Sequence, residues 1–87
     1  MEYIEFTLPK KPNNRETIEI STKFSLQPFL FKIKQNPRQY IEFGNVKTTI
    51  GKNGSIESTL ITDEITLVYL GKNHFKVLCA TGHFLIT

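Results

Sequence analysis

Cysteine occurs once in this 87-residue sequence, at Cys79. No intramolecular disulfide can form, so the chain differs from small secreted scaffolds, and a reducing, cytoplasmic setting is expected. Long apolar runs are also missing. No stretch approaches the roughly 18–20 apolar residues of a membrane span, and the opening MEYIEFTL lacks the core of a signal peptide. A soluble protein without membrane contact is expected.

Groups that do chemistry are equally scarce. The two histidines, His74 and His83, stand next to turns, and with Cys79 they give no zinc-type ligand spacing. Cys79 alternates with Val77 on an apolar stretch and reads as a small core hydrophobe rather than a nucleophile. Asp63 and Glu64 are chain neighbours in a turn, where side chains splay apart and solvate rather than work as an acid and base pair. GKNGS (51–55) lacks the glycine spacing, the Lys-Ser/Thr end and the following helix of a phosphate loop. An enzyme, a metal and a cofactor are therefore not expected.

No helical period is present either. What is present is alternation with period 2, in runs of five to eight residues between turn signals. YIEFTL sets Ile4, Phe6 and Leu8 on one face. ETIEIST sets Ile18 and Ile20 opposite Glu19. FLFKIK sets Phe29, Phe31 and Ile33 opposite Lys32 and Lys34. PKKPNNR between the first two is a loop. The hydrophobic fraction is 39%, with seven Phe and three Tyr, enough for one core over residues 1–87 as a single domain. A chain this short buries only about 60–65% of its unfolded surface, so its stability margin is small.

Turn chemistry predicts hairpins. A loop Asn36-Pro37-Arg38 would set Lys34 opposite Tyr40, Ile33 opposite Ile41 and Lys32 opposite Glu42. Gly44-Asn45 would pair Phe43 with Val46 and Glu42 with Lys47 in a two-residue hairpin. Lys52-Asn53-Gly54, with Gly54 left-handed, would pair Ile50 with Ile56. Further turns are expected around Asp63, through Gly71-Lys72-Asn73 with Asn73 left-handed, and at Thr81-Gly82, pairing Cys79 with Phe84 and Val77 with Ile86. The inward face changes from even residues (Ile56, Leu60) to odd ones (Ile65, Leu67, Tyr69), so a bend is expected near residues 58–63. The predicted fold is all-β: a small antiparallel meander of about seven to eight strands, as a closed barrel or a two-layer sandwich.

Two binding surfaces follow. The formal net charge is +3, and residues 1–40 carry all of the excess, seven basic residues against four Glu. Lys10, Lys11, Arg15, Lys32, Lys34 and Arg38, with Tyr40 beside Lys34 as a stacking platform, are candidates to hold single-stranded DNA or RNA. Tyr3 is a second exposed-face aromatic. Against this, Glu5 and Glu42 share those faces. The other surface is apolar. Val68, Leu70, Leu78 and Leu85 lie off the odd-numbered face of the C-terminal strands and need a cover. The leading expectation is a non-catalytic protein-recognition or self-assembling module, a homo-oligomer through those four residues. The alternative is the small nucleic-acid binder.

Overall fold

A computed structural model describes residues 2–21 and 29–87. Lys23, one of the basic residues of the N-terminal half, lies outside them. The described residues form nine strands and no helix. They are β1 (Glu2–Thr7), β2 (Thr17–Ile20), β3 (Phe29–Lys34), β4 (Tyr40–Phe43), β5 (Val46–Lys47), β6 (Ser55–Ser58), β7 (Glu64–Gly71), β8 (His74–Thr81) and β9 (Phe84–Ile86).

Alternation does what period 2 dictates. One buried cluster takes Phe31, Ile33 and Ile56 from one sheet and Ile20, Ile41, Ile65, Leu67 and Phe75 from the other. Partly buried Phe6, Ile18, Phe43, Tyr69, Val77, Phe84 and Ile86 pack around it. The charged alternates on the same strands stay exposed or half-buried, whereas Ser55 and Ser58 of β6 are buried.

The connectivity departs from the expected meander. The strands form two mixed sheets, ordered β1-β3-β6-β9 and β2-β7-β8-β4-β5, and no closed barrel. The chain changes sheet at most connections. β1 and β3 therefore enter their sheet in the same direction and pair in parallel. β4 and β8 do likewise in the other sheet. The expected hairpin over residues 32–40 does not exist. β3 pairs with β1 and β6, and β4 pairs with β5 and β8. Nor do Ile50 with Ile56 or Cys79 with Phe84 pair. β6 takes β9 as its neighbour, with Ile56 opposite Ile86 and Ser58 opposite Phe84.

Two hairpins form. Around Gly44-Asn45, Phe43 faces Val46 and Glu42 faces Lys47, with positive φ at Gly44 only, the II′ pattern. The β7–β8 turn is tighter than expected. Gly71 faces His74, and both Lys72 (φ 52°) and Asn73 (φ 65°) are left-handed, the I′ pattern. The expected bend near residues 58–63 is the corner where the chain leaves β6 for the other sheet. Asp63 pins it, its Oδ2 accepting from the backbone N–H groups of Thr59 (2.9 Å) and Leu60 (3.0 Å). Leu60, expected inward, sits in this turn and is exposed.

A buried polar knot explains why the local hairpins lose. Gln35 and Gln39 flank the loop between β3 and β4, and both are buried with Thr48. The Gln35 amide donates to the carbonyls of Gln39 (2.8 Å), Thr49 (2.9 Å) and Gly51 (2.8 Å), and its Oε1 accepts from the Thr48 hydroxyl. Gln39 donates to the Pro9 carbonyl at 2.7 Å, and Asn36 to that of Leu8 at 2.7 Å. Loop carbonyls that a hairpin ladder would have satisfied are satisfied here by side-chain amides, as burial requires. Gly54 is needed at this point. An added Cβ would overlap the Thr49 carbonyl oxygen and the Gln35 amide. The left-handed glycine of this segment is Gly51 (φ 95°), not Gly54.

Candidate functional site

The polar loops gather into one rim. Leu8 N–H donates to the Lys34 carbonyl (2.9 Å), and Gly51 N–H to that of Gln39 (2.8 Å). Tyr40 N–H donates to the Asn73 carbonyl (3.0 Å), and Arg15 N–H to that of Tyr69 (2.8 Å). Together with the polar knot, these bonds join residues 8–16, 35–39, 48–54 and 71–73 at one end of the sheets. Of the sequence candidates, Lys10, Lys11, Arg15 and Arg38 lie on this rim, all exposed. Exposed Lys52 and Lys72 join them. Sequence reasoning passed over both because it followed the charge excess of the N-terminal half. The missed signal was that three of these four loops contain no Asp or Glu.

Lys32 and Lys34 are elsewhere. They project from the outer face of the β1-β3-β6-β9 sheet, and each meets an acid. Lys32 lies 3.8 Å from Glu57 and Lys34 lies 3.8 Å from Glu5. Their expected neighbours, Glu42 and Tyr40, are in the other sheet. Exposed pairs of this kind are worth about 0–1 kcal/mol, and they cancel the local charge. Tyr3 shares this face. Its hydroxyl donates to Glu57 at 2.8 Å. Partial desolvation, then that bond and the charges of Glu57 and Glu5, raise its pKa from 10.0 to about 12.

Tyr40 meets a different partner. Its ring stacks on His74 with centroids 4.7 Å apart and planes 12° from parallel. Lys47 approaches from the β5 side, 5.9 Å from the ring centre. Because β4 lies between β8 and β5, His74 and Lys47 flank the Tyr40 ring from opposite sides. His74 thus occupies one face of the ring. His74, which follows the turn after β7, is half-buried and bonds Glu42 at 2.8 Å.

The C-terminal strands carry the apolar candidates. Val68, opposite Thr17 on β2, is only 7% exposed, so it is not available as a surface residue. Leu70, Leu78 and Leu85 are exposed, the last two at 57%. Cys79, expected in the core, is exposed. The reason is a β-bulge. Leu67 faces Val77 and Thr66 faces Cys79, so Leu78 is an extra residue and the parity of β8 shifts beyond it. Beyond Lys76, the last β8 residue paired with β4, Val77–Thr81 has a strand neighbour only on the β7 side among the described residues. β9 is likewise the outer strand of its sheet.

Among the described residues no three His, Cys, Asp or Glu side chains are grouped to hold a metal. Asp63, expected to be solvated, is 1% exposed, and its Oδ1 has no hydrogen-bond partner among the described residues. That oxygen packs on the Gly82 backbone, leaving no room for a Cβ there. An apolar cleft between Phe6, Leu8, Pro9, Ile18, Ile20, Ile33 and Leu67 has almost no polar lining and reads as incompletely filled core.

Fold and surface together define a class: an all-β protein of two mixed sheets, with a cationic loop rim at one end and apolar strand edges leading away from it. No family model matches the chain, no curated protein is significantly similar to it, and no solved structure matches it. No helix is long and apolar enough to cross a membrane among the described residues.

Proposed function

We infer that the protein is a non-catalytic recognition module that assembles with a second copy of itself through the second half of β8. One observation carries this reading: among the described residues, a strand edge that no charge, proline or further strand covers, interrupted only by the bulge at Leu78. Open edges are normally blunted by charges, proline, β-bulges or a covering element, and of these the described edge has only the bulge. Residues 77–87 contain no Asp, Glu, Lys, Arg or Pro. Leu78 and Leu85, both exposed, stand on this stretch.

Charge placement favours a second copy. β8 begins beside the rim at His74 and runs away from it. Two copies joined antiparallel through Val77–Thr81 therefore keep their cationic rims apart. Such pairing is two-fold symmetric and isologous, with Cys79 facing its own counterpart at the centre. The joined edge is short, which puts the contact among weak, transient interfaces below about 1,200 Å².

The test is light scattering on a sizing column over a concentration series up to about a millimolar, the range expected of weak contacts. A concentration-dependent dimer is expected for the native chain, and a monomer for Leu78→Lys. Mild oxidation should trap the dimer through Cys79, and Cys79→Ser should prevent the trapping. A native chain that stays monomeric throughout, or a dimer indifferent to Leu78→Lys, overturns the reading.

A further inference from the structure

We propose that the loop rim is a second, independent binding surface, which takes the phosphodiester backbone of nucleic acid without reading its sequence. The first ground is the distribution of charge. The rim carries six cations (Lys10, Lys11, Arg15, Arg38, Lys52, Lys72) and one acid, Glu16. The rest of the chain holds five cations and seven acids, so the net charge of +3 conceals a rim near +5 on a negative body. Glu16 is the exception, and its carboxylate accepts a bond from the Asn13 N–H at 3.4 Å. No rim cation has an ion-pair partner among the described residues, whereas Lys32 and Lys34 each have one.

The second ground is backbone strain. Four non-glycine residues have positive φ among the described residues: Arg15 (68°), Arg38 (71°), Lys72 (52°) and Asn73 (65°). All four are on the rim and three are cations. Glycine or asparagine would suit these positions. A long cationic side chain there costs roughly 1–2 kcal/mol of local strain each. Strain concentrated at a single surface, under side chains of a single charge, is what a binding site held for function looks like.

The third ground is rigidity. The buried amides of Gln35 and Gln39 hold the segments around Pro9, Gln39 and Thr49–Gly51, and backbone bonds from Arg15 to Tyr69 and from Tyr40 to Asn73 hold the other loops, so the backbone that carries the charges needs little ordering on binding. Tyr40 has one ring face taken by His74 and the Lys47 ammonium 5.9 Å from its centre, so it is a poor platform for a base. The surface reads charge. It should hold single strands and duplexes alike, with the steep salt dependence of counterion release.

The experiment is fluorescence anisotropy with the full chain and a labelled 20-nucleotide mixed-sequence strand, single and as duplex, from 25 to 200 mM salt. Three proteins are compared: native, Lys10→Gln/Lys11→Gln/Lys52→Gln, and Lys32→Gln/Lys34→Gln. The three rim positions lack positive φ and the changes leave the knot intact, and circular dichroism verifies the fold. The native protein should bind both probes with a log–log salt slope of about −3 to −5, the value for four to six neutralised phosphates. The rim variant should lose at least tenfold in affinity and flatten that slope, and the face variant should stay within about twofold. Three results overturn the proposal. They are no binding at the lowest salt, equal losses in both variants, and displacement by inorganic polyphosphate at a tenth of the oligonucleotide's phosphate concentration. The last would reassign the rim to that anion. The result is independent of the dimer, because Leu78→Lys leaves the rim intact.

Discussion

The rim and the open edge of β8 are opposites in construction. The rim is polar, irregular and strained, and it is held from beneath by buried amides. The edge is uncharged and free of positive φ over Val77–Thr81, broken only by the bulge at Leu78, and nothing described covers its outer side. In the rim, backbone groups are satisfied internally and side-chain charges are left over. At the edge, side chains are mostly apolar and backbone groups are left over. One surface therefore offers long-range attraction to any polyanion, and the other offers directional hydrogen bonds to a strand. A small chain with one core can carry two such surfaces because neither draws on the core cluster.

Substitutions can break this comparison at either side. The largest effect is expected at Gly54, beneath the rim. Gly54→Ala drives a Cβ into the Thr49 carbonyl oxygen and the Gln35 amide, and should cost about 3 kcal/mol or more in urea unfolding. Gly44→Ala is the control. Nothing lies within 4 Å of its added Cβ, but its φ is +59°, so about 1 kcal/mol is expected. Equal losses would mean that the knot does not hold the rim.

Arg38→Gly gives a smaller and more pointed result. Removing the side chain relieves a left-handed residue at φ 71° and should stabilise the fold by up to about 1 kcal/mol. The same change should weaken oligonucleotide binding. Opposite signs in the two assays are the signature of strain kept for binding. Destabilisation instead would mean that Arg38 supports the loop, and the strain argument would fail at that position.

The smallest effect belongs to the neutral outer face. The Tyr3 phenol is held neutral up to about pH 12 against an ordinary 10.0. A proton held more tightly in the folded state stabilises it fully below pH 10, and that contribution disappears as pH rises through 12. Spectrophotometric titration should find a tyrosine titrating near 12, and Tyr3→Phe should remove it. Survival of that titration in Tyr3→Phe would assign it to another ring.

Part of this was legible in the sequence. Alternation identified the inward residues of β2, β3 and β7, because a half-buried strand has to alternate. Gly44-Asn45 and the LGKNH stretch gave their hairpins, because the turn residues carry the needed φ angles. The parity change between Ile56 and Ile65 gave the corner. The partners were not legible. Matching Ile33 with Ile41 through QNPRQ was locally consistent, yet the chain crosses to the other sheet there. What decides is Gln35, whose three carbonyl partners are 4, 14 and 16 residues away. Loop glutamines look alike whether solvated or buried. The bulge at Leu78 was equally silent, and so Cys79 was placed on the wrong face. Of the site, four rim cations were found by charge, whereas Lys52 and Lys72 required the loops to be brought together.

The two parallel pairings also determine how the chain reaches this state. The β4–β5 and β7–β8 hairpins are local and close on the microsecond scale. β1 pairs with β3 across the residues of β2, and β4 with β8 across those of β5, β6 and β7, so both pairings close long loops. Folding is therefore late-committing: two small hairpins wait for a topology that neither encodes, at the slow rates of chains dominated by non-local pairing. Once closed, the β7–β8 hairpin presents the second half of β8 as a strand whose outer side is open among the described residues. The feature that would let finished copies join thus also makes unfinished ones prone to mispair.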